Sequence, residues 1–203
     1  MQLQLQLFLL YSLSFFLSAS AGCGKPPVLF VFGDSNSDTG GAAAAGIGFP
    51  IGFPHGRTFF HRPSCRVSDG RLLIDLLCQS LNTSLLVPYL DALSGTSFTN
   101  GANFAVVGSS TLPKNVAFSL YIQVTQFRRF KDRTLQLLTA GARNLINDEG
   151  FRDALYLIDI GQNDLEASFS RNLTYAHVLK KIPAFISEIE NAVKVSLAFL
   201  RLF

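Results

Sequence analysis

Three glycine-centred polar segments carry the side chains best suited to chemistry in this sequence, at residues 33–40, 108–111 and 161–164. Each segment follows a short apolar run that predicts a β-strand. In a parallel sheet, ligands bind beyond the carboxyl ends of the strands. We therefore expect the three segments to converge on one site.

Attack on an ester carbonyl is one reaction that such a site suits. Ser35 follows an apolar run and a glycine, so it could present its hydroxyl from a tight turn. Gly108 has no side chain, so its backbone N–H could approach a substrate closely. The side-chain amide of Asn163 could donate to the developing oxyanion. The alternative is that these residues have only structural roles. Ser35 would then cap a helix, and Gly108 and Gly161 would be turn residues.

Aspartates in these segments allow a different chemistry. Asp34 and Asp38, with Asp159 or Asp164, could bind a divalent metal and hydrolyse phosphate esters. The sequence lacks a histidine-rich metal constellation, so we rank this alternative last. We expect Asp34 and Asp38 to fix their turn by accepting hydrogen bonds from backbone N–H groups. Asp159 lies within an apolar run, and we expect it to tie two strand ends because a buried carboxylate needs partners.

The predicted strands cover residues 28–32, 103–107 and 154–160. None of these runs alternates cleanly between polar and apolar residues. Strands that are apolar on both faces are typical of a parallel sheet covered by helices.

Three stretches with apolar periodicity predict helices, at about residues 68–81, 122–140 and 174–201. Ser68 or Asp69 is the predicted N-cap of the first helix, with its leucines on one face. In the last helix, Pro183 predicts either a kink or a true start near Ile182. Strands that alternate with helices predict an α/β domain.

Composition limits the class of protein. The chain has 203 residues, of which 48% are hydrophobic and 15% charged, with a net charge of +3. This length fits one domain, and the composition excludes an acidic disordered chain. No basic block stands out, so we expect no nucleic-acid partner. With 19 phenylalanines and no tryptophan, we expect a core rich in phenylalanine.

The amino-terminal segment predicts secretion. Residues 7–17 are apolar, and small residues with the A-x-A-like site Ala19-Ser20-Ala21 follow them. The run is short for a bilayer, so we interpret residues 1–21 as a signal peptide, with a buried helix or an uncleaved anchor as the alternatives. Residues 22–203 contain no run of 18 uncharged apolar residues. We therefore expect a secreted, extracellular or cell-wall protein without stable membrane insertion.

Two sequons agree with secretion and predict glycosylation at Asn82 and Asn172. The three cysteines, Cys23, Cys65 and Cys78, allow one disulfide and leave one thiol. Cys78 lies in an apolar stretch, where we expect it to be buried. A Cys23–Cys65 disulfide is one possible pairing, and no cysteine spacing suggests a zinc site.

The three segments resemble the GDSL esterase/lipase family, also called SGNH hydrolases. FGDSNSDTG at residues 32–40 resembles its first block, NGANFAVVG at 100–108 its second, and GQND at 161–164 its third. SDGR at residues 68–71 is similar to plant members. The blocks occur in the family's order, and the resemblance covers nearly all of residues 26–195.

The resemblance implies a flavodoxin-like α/β/α sandwich with a five-stranded parallel sheet. It implies Ser35 as the nucleophile, with the oxyanion hole formed by the N–H groups of Ser35 and Gly108 and the side chain of Asn163. The family hydrolyses acyl esters, from lipids to acetylated polysaccharides, without a metal or organic cofactor.

The sequence departs from the family at the general base, which is the histidine of a D-x-x-H motif. The histidines here are His55, His61 and His177, and none has an aspartate three residues earlier. We therefore expect residues 22–203 to be the amino-terminal part of one hydrolase domain, without its later strands and with impaired activity. The alternative is a non-catalytic protein of the same fold that binds an ester or glycan, or interacts through an exposed sheet edge.

Overall fold

The computed structural model describes residues 26–47, 51–91, 98–112 and 117–200. The predicted signal peptide and Cys23 lie outside these ranges. No helix in the described ranges is long and apolar enough to cross a membrane. The helices and strands of the described residues are β1 (Leu29–Gly33), α1 (Gly41–Ala44), α2 (Leu73–Ser80), β2 (Gly101–Asn103), α3 (Leu120–Thr139), α4 (Asp148–Arg152), β3 (Leu155–Asp159), α5 (Gln162–Phe169), α6 (Tyr175–Leu179) and α7 (Ile182–Leu200).

The strands form one parallel sheet in the order β2-β1-β3. Leu29 of β1 aligns with Gly101 on one side and Leu155 on the other. The central strand is buried along its whole length, whereas β3 is partly exposed. The prediction of a parallel α/β fold is confirmed, and the sheet is that of an incomplete α/β sandwich.

Aromatic rings fill the core on one face of the sheet. Phe30 is completely buried, and its ring centroid lies 5.0 Å from that of Phe127 on α3 and 5.3 Å from that of Phe151 on α4. Phe32 stacks on Phe104 at 5.4 Å. Aromatic pairs at these separations add to the stability gained from burial. The phenylalanine-rich core is confirmed.

Side chains that alternate with these rings pack on the opposite face. Leu29 and Val31 are buried there against Ile74 and Cys78 of α2. Because successive side chains of a strand point to opposite faces, β1 contributes to both halves of the core. This arrangement explains why its sequence shows no polar alternation.

The prediction for β2 was wrong in position. The strand covers Gly101–Asn103, whereas the predicted run began at residue 103. The side chain of Asn103 accounts for the end of the strand, because its oxygen accepts the N–H of Ala105 at 2.9 Å. Such local side-chain bonds compete with a regular ladder. The N–H of Phe104 still donates to Val31 of β1, so the chain continues beside the sheet.

The predicted caps of the first helix were also wrong. Helix α2 begins at Leu73, and the carboxylate of Asp75 accepts the N–H of Leu72 at 2.9 Å. Ser68 is used within the preceding loop, where its hydroxyl accepts the N–H of Gly70. The predicted apolar face was only partly right, because Leu73 is 65% exposed.

The predicted last helix is divided in two. Helix α6 ends at Leu179, and α7 begins at Ile182 with Pro183 in its first turn. Proline is tolerated in the first turn of a helix, where its missing N–H costs nothing, so the alternative of a start near Ile182 is confirmed. Helices α1, α4 and α5 were not predicted. The first two have four and five residues, too few to show a period, and the eight residues of α5 have no clear apolar face.

Gly101 permits the close pairing of β2 with β1. Its φ is 114°, and a Cβ atom at this position would overlap the carbonyl oxygen of Leu29. We expect Gly101→Ala to lower the free energy of unfolding by about 1–3 kcal/mol from backbone strain, with the steric overlap adding to the loss. Urea unfolding measures this change. The control is Gly52→Ala, whose Cβ would meet no atom within 4 Å, and equal losses in the two variants would contradict the prediction.

Candidate active site

Ser35 lies in a tight turn directly after the central strand, and we call residues 34–38 the serine turn. The carbonyl of Asp34 accepts the N–H groups of Ser37 at 3.1 Å and Asp38 at 2.9 Å. This pattern closes the turn and leaves Ser35 partly exposed. The serine is therefore presented at the carboxyl end of β1.

The Asp38 carboxylate connects the serine turn to the chain after β2. It is completely buried and accepts the N–H groups of Gly40 at 2.7 Å, of Gly41, and of Ala42 at 3.1 Å. It also accepts the N–H of Val107 at 2.8 Å. The prediction that Asp38 fixes the turn through backbone N–H groups is confirmed, and the same carboxylate holds the residue before Gly108.

A buried glutamine on α3, not predicted from sequence, also joins these two segments. The side-chain amide of Gln123 accepts the N–H of Gly33 and donates to its carbonyl, both at 2.8 Å. It donates as well to the Ser109 hydroxyl at 3.0 Å. The amide thus pairs with the end of β1 much as a neighbouring strand would. Gly108 lies between Val107 and Ser109 with φ 79°, a left-handed conformation that favours glycine.

Helix α5 brings the third segment to the same place. The Asn163 side chain donates to the carbonyl of Ser109 at 2.8 Å, and the Asp164 carboxylate accepts the N–H of Thr111 at 2.8 Å. Both residues lie in the first turn of α5, which begins directly after Gly161. The first turn of α5 is therefore fixed against the segment that contains Gly108.

Gln162 links α5 to the serine turn. Its Nε2 donates to Asp34 Oδ1 at 2.8 Å and to Ser35 Oγ at 3.2 Å. Its Oε1 accepts the side-chain N–H of Asn36 at 3.1 Å. Asn163, the next residue, donates to the carbonyl of Ser109, which directly follows Gly108. Hydrogen bonds from these two residues of α5 therefore join the turn that carries Ser35 to the segment that contains Gly108, and we call this contact region the junction. The expected convergence of the three segments is present.

The surroundings of Asp34 disfavour the charged form of its carboxyl. Burial raises the pKa of its carboxyl, and the negative charges of Asp159 and Asp164 raise it further. The N–H of Asn36 and the Gln162 amide act in the opposite direction. The carboxyl fixes the turn, as expected, through the Asn36 N–H at 3.1 Å.

Asp159 ties the ends of two strands. Its carbonyl accepts the N–H of Asp34 at 3.3 Å, and its carboxylate accepts the Ser37 hydroxyl at 3.4 Å. These contacts agree with the structural role expected for it. Within the described ranges, no cluster of three or more histidine, cysteine or acidic side chains could hold a metal ion.

The three histidines make local contacts. The Nδ1 atom of His55 lies 2.8 Å from the carbonyl oxygen of Gly52. The Nδ1 atom of His61 lies 3.2 Å from the carbonyl oxygen of Arg57. In His177, Nδ1 lies 2.7 Å from the Thr174 hydroxyl. Each histidine thus contacts a residue three or four positions earlier in its own loop or helix.

The remaining predicted positions take no part in the hydrogen bonds of the junction. Asn82 and Asn172 are both exposed, which is where a sugar could be attached. Cys78 is completely buried, as expected, and burial raises the pKa of its thiol. Cys65 forms no disulfide with a described residue. The Cys23–Cys65 pairing stays a prediction because Cys23 lies outside the described ranges.

Comparison with known proteins identifies relatives over most of the chain. The family model for GDSL-like lipase/acylhydrolase matches residues 29–201. The GDSL esterase/lipases At1g09390 and LIP-4 of Arabidopsis thaliana are each 59% identical, over 88% and 87% of this chain and 49% and 48% of their own lengths. An esterase of Hevea brasiliensis is 43% identical over 83% of this chain and 45% of its own length. The chain spans about half the length of these relatives.

Proposed function

This chain belongs to the GDSL-like lipase/acylhydrolase family, and from that premise we propose that it carries the nucleophile and oxyanion hole of a serine ester hydrolase. One observation carries the proposal. Hydrogen bonds from the neighbouring residues Gln162 and Asn163 join the serine turn to the segment that contains Gly108. A hydroxyl, a glycine N–H and a carboxamide are thereby held at one end of the sheet.

In the proposed mechanism, Ser35 Oγ attacks the acyl carbon of a carboxylic ester while a base takes the hydroxyl proton. The tetrahedral intermediate then expels the alcohol, and water hydrolyses the acyl-enzyme. The exposure of Ser35 at the end of β1 supports this role. Its Oγ accepts a hydrogen bond from Gln162, so the hydroxyl proton stays available for donation to a base.

The proposed oxyanion hole consists of the N–H groups of Ser35 and Gly108 and the side chain of Asn163. Neither backbone N–H donates to a residue in the described ranges, so both are available to a ligand. Asn163 uses one of its two amide hydrogens on Ser109 and has the other to offer. Loss of one such donor typically costs about 3–4 kcal/mol of transition-state stabilisation.

We also propose that these 203 residues hydrolyse esters only weakly. None of the three histidines lies in a D-x-x-H motif, and each has a local partner. Loss of the base in a serine hydrolase lowers turnover by roughly 10⁴ to 10⁶. The alternative is a non-catalytic protein of the same fold that binds an ester or glycan, or interacts through an exposed sheet edge.

The setting proposed for this activity is extracellular. Residues 1–21 serve as the signal peptide, Asn82 and Asn172 as glycosylation sites, and residues 22–203 as the amino-terminal part of one hydrolase domain. The substrate is an ester of a lipid or of an acetylated glycan, and we expect the reaction to need no cofactor. We expect no nucleic-acid partner and no stable membrane insertion.

The test is hydrolysis of a short-chain p-nitrophenyl ester by the purified chain, beside Ser35→Ala. We expect turnover roughly 10⁴-fold or more below that of an ordinary serine hydrolase, and little further loss in Ser35→Ala because nucleophile and base act as a unit. Turnover at ordinary enzyme rates that depends on Ser35 would contradict the weak activity. Binding of an acylated sugar that Ser35→Ala leaves unchanged, without any turnover, would favour the non-catalytic alternative.

A further inference from the structure

The Gln162 amide touches the oxygen to which the proposed function assigns the chemistry. Its Nε2 lies 3.2 Å from Ser35 Oγ and 2.8 Å from Asp34 Oδ1, so each of its two hydrogens has an acceptor. Gln162 occupies the variable position of the G-x-N-D block, and the proposed oxyanion hole does not use its side chain. The amide therefore needs an explanation of its own.

The Asp34 carboxylate fixes which end of the Gln162 amide faces Ser35. It accepts the hydrogen bond from Nε2, and burial and a second hydrogen bond from the Asn36 N–H hold it in place. A flipped amide would place two acceptors together at Asp34. The Asn36 side chain donates to Oε1 at 3.1 Å in the arrangement present. The N–H group is thus held toward Ser35 Oγ.

An N–H donor at this position acts on charge that Oγ carries during the reaction. Oγ gains negative charge as it loses its proton and attacks, and gains it again when it leaves the acyl group in the second step. A hydrogen bond to a charged oxygen is stronger than one to a neutral hydroxyl. The Gln162 N–H therefore stabilises the transition states more than the resting serine, which is the condition for a catalytic effect.

We infer that Gln162 is a further catalytic residue, whose amide N–H stabilises the negative charge that develops on Ser35 Oγ. The inference rests on the proposed function of Ser35. It differs from the oxyanion hole because the group stabilised is the nucleophile and leaving oxygen, and not the carbonyl oxygen of the substrate.

The test uses the full chain, a fluorophosphonate ester as the probe and added imidazole as an external base. Ser35 Oγ forms a bond to phosphorus, fluoride leaves with the electron pair of the P–F bond, and imidazole takes the hydroxyl proton. Intact-mass spectrometry follows the rate of labelling.

We expect Gln162→Leu to lower the second-order rate constant of labelling about tenfold to a hundredfold, the usual range for a hydrogen bond to a charged group. The matched control is Gln136→Leu, an exposed glutamine on α3, which we expect to label at the wild-type rate.

A second variant separates catalysis from a structural role. Gln162→Glu has a side chain of the same size, which can donate toward Oγ only when its carboxyl is protonated. We expect the labelling rate of Gln162→Glu, divided by that of Gln162→Leu, to rise as the pH falls. The availability of imidazole cancels in this ratio. Both variants also carry Asp34→Asn, which removes the charge that would repel the introduced carboxylate, so a purely structural role leaves the ratio flat.

The outcomes distinguish this inference from the proposed function. Wild-type labelling at Ser35 with an unchanged rate in Gln162→Leu, or with a flat ratio between the two Gln162 variants, would overturn the inference alone. Absence of wild-type labelling at Ser35, even with imidazole, would overturn the proposed function and the inference with it.

Discussion

Asp38→Asn is expected to lower the free energy of unfolding by about 3 kcal/mol or more. The native carboxylate accepts four backbone N–H groups while completely buried. An asparagine retains one acceptor oxygen and turns an NH₂ group toward two of these N–H donors. A buried hydrogen bond to a charged group contributes roughly 1.5–3 kcal/mol, so the loss of two gives the expected magnitude.

The same substitution is expected to affect the site. The Val107 N–H bond to Asp38 holds the residue before Gly108, so its loss allows Gly108 to move relative to Ser35. We therefore expect fluorophosphonate labelling of Ser35 in the presence of imidazole to fall by about tenfold or more, as for loss of an oriented donor.

Urea unfolding measures the stability effect of Asp38→Asn. The matched control is Asp153→Asn, whose carboxylate is 64% exposed and pairs only with its neighbour Arg152 among the contacts described. We expect that control to change stability by less than about 0.5 kcal/mol. A loss below about 1 kcal/mol in Asp38→Asn would show that the buried carboxylate is not what holds the turn.

Sequence reasoning located the strands and the polar turns because their signals are local. An apolar run that ends at Gly33 or Gly161 is visible in a few residues. The parallel arrangement then places those turns together, since the carboxyl ends of parallel strands share one edge. The strand pattern therefore accounts for the meeting of the first and third segments, whereas residues 108–111 follow β2 only after four further residues.

The contacts of the two glutamines could not be found in this way, although Gln162 lies in the predicted segment 161–164. Gln123 bonds Gly33 across 90 residues, and Gln162 bonds Ser35 across 127 residues. A glutamine on a helix is usually exposed, and nothing in its own neighbourhood indicates a distant partner. Their contacts depend on how α3 and α5 pack on the sheet, which sequence periodicity does not specify.

The prediction of where β2 lies was wrong for a related reason. Asn103 lies at the start of an apolar run and looks like the beginning of a strand. Its side-chain amide donates to the Ser37 carbonyl at 2.6 Å and to the Thr39 hydroxyl at 3.0 Å. These partners lie more than 60 residues away, so local sequence could not show that Asn103 holds the serine turn.

The loop before α2 shows the same limit. Arg66 lies in this loop and is only 7% exposed, although a charged side chain in a loop is usually at the surface. The Arg66 guanidinium donates to both oxygens of Asp75 at 2.8 Å, and also to the carbonyl of Ser64 at 3.0 Å. It lies over the ring of Phe60, 4.6 Å from the centroid. Arginine is rarely buried unless it is paired, and here the pair anchors the loop to α2.

Asp75→Ala is expected to lower the free energy of unfolding by about 3–5 kcal/mol. The substitution leaves the Arg66 charge buried without its carboxylate, and it also removes the acceptor of the Leu72 N–H. Exposed Asp69, whose carboxylate lies 3.5 Å from Arg57, provides the control. We expect Asp69→Ala to cost less than about 1 kcal/mol, because water screens an exposed pair.

The double variant Arg66→Met/Asp75→Leu tests the cause of this loss. If the loss comes mainly from an uncompensated buried charge, replacing both partners with apolar side chains should restore much of the stability that Asp75→Ala removes. Some loss remains because the Leu72 N–H still lacks its acceptor. A double variant as unstable as Asp75→Ala would place the stabilisation in the helix cap and not in the ion pair. Urea unfolding of the two variants distinguishes these cases, since removal of an unpaired buried charge is worth several kcal/mol and one cap about 1 kcal/mol.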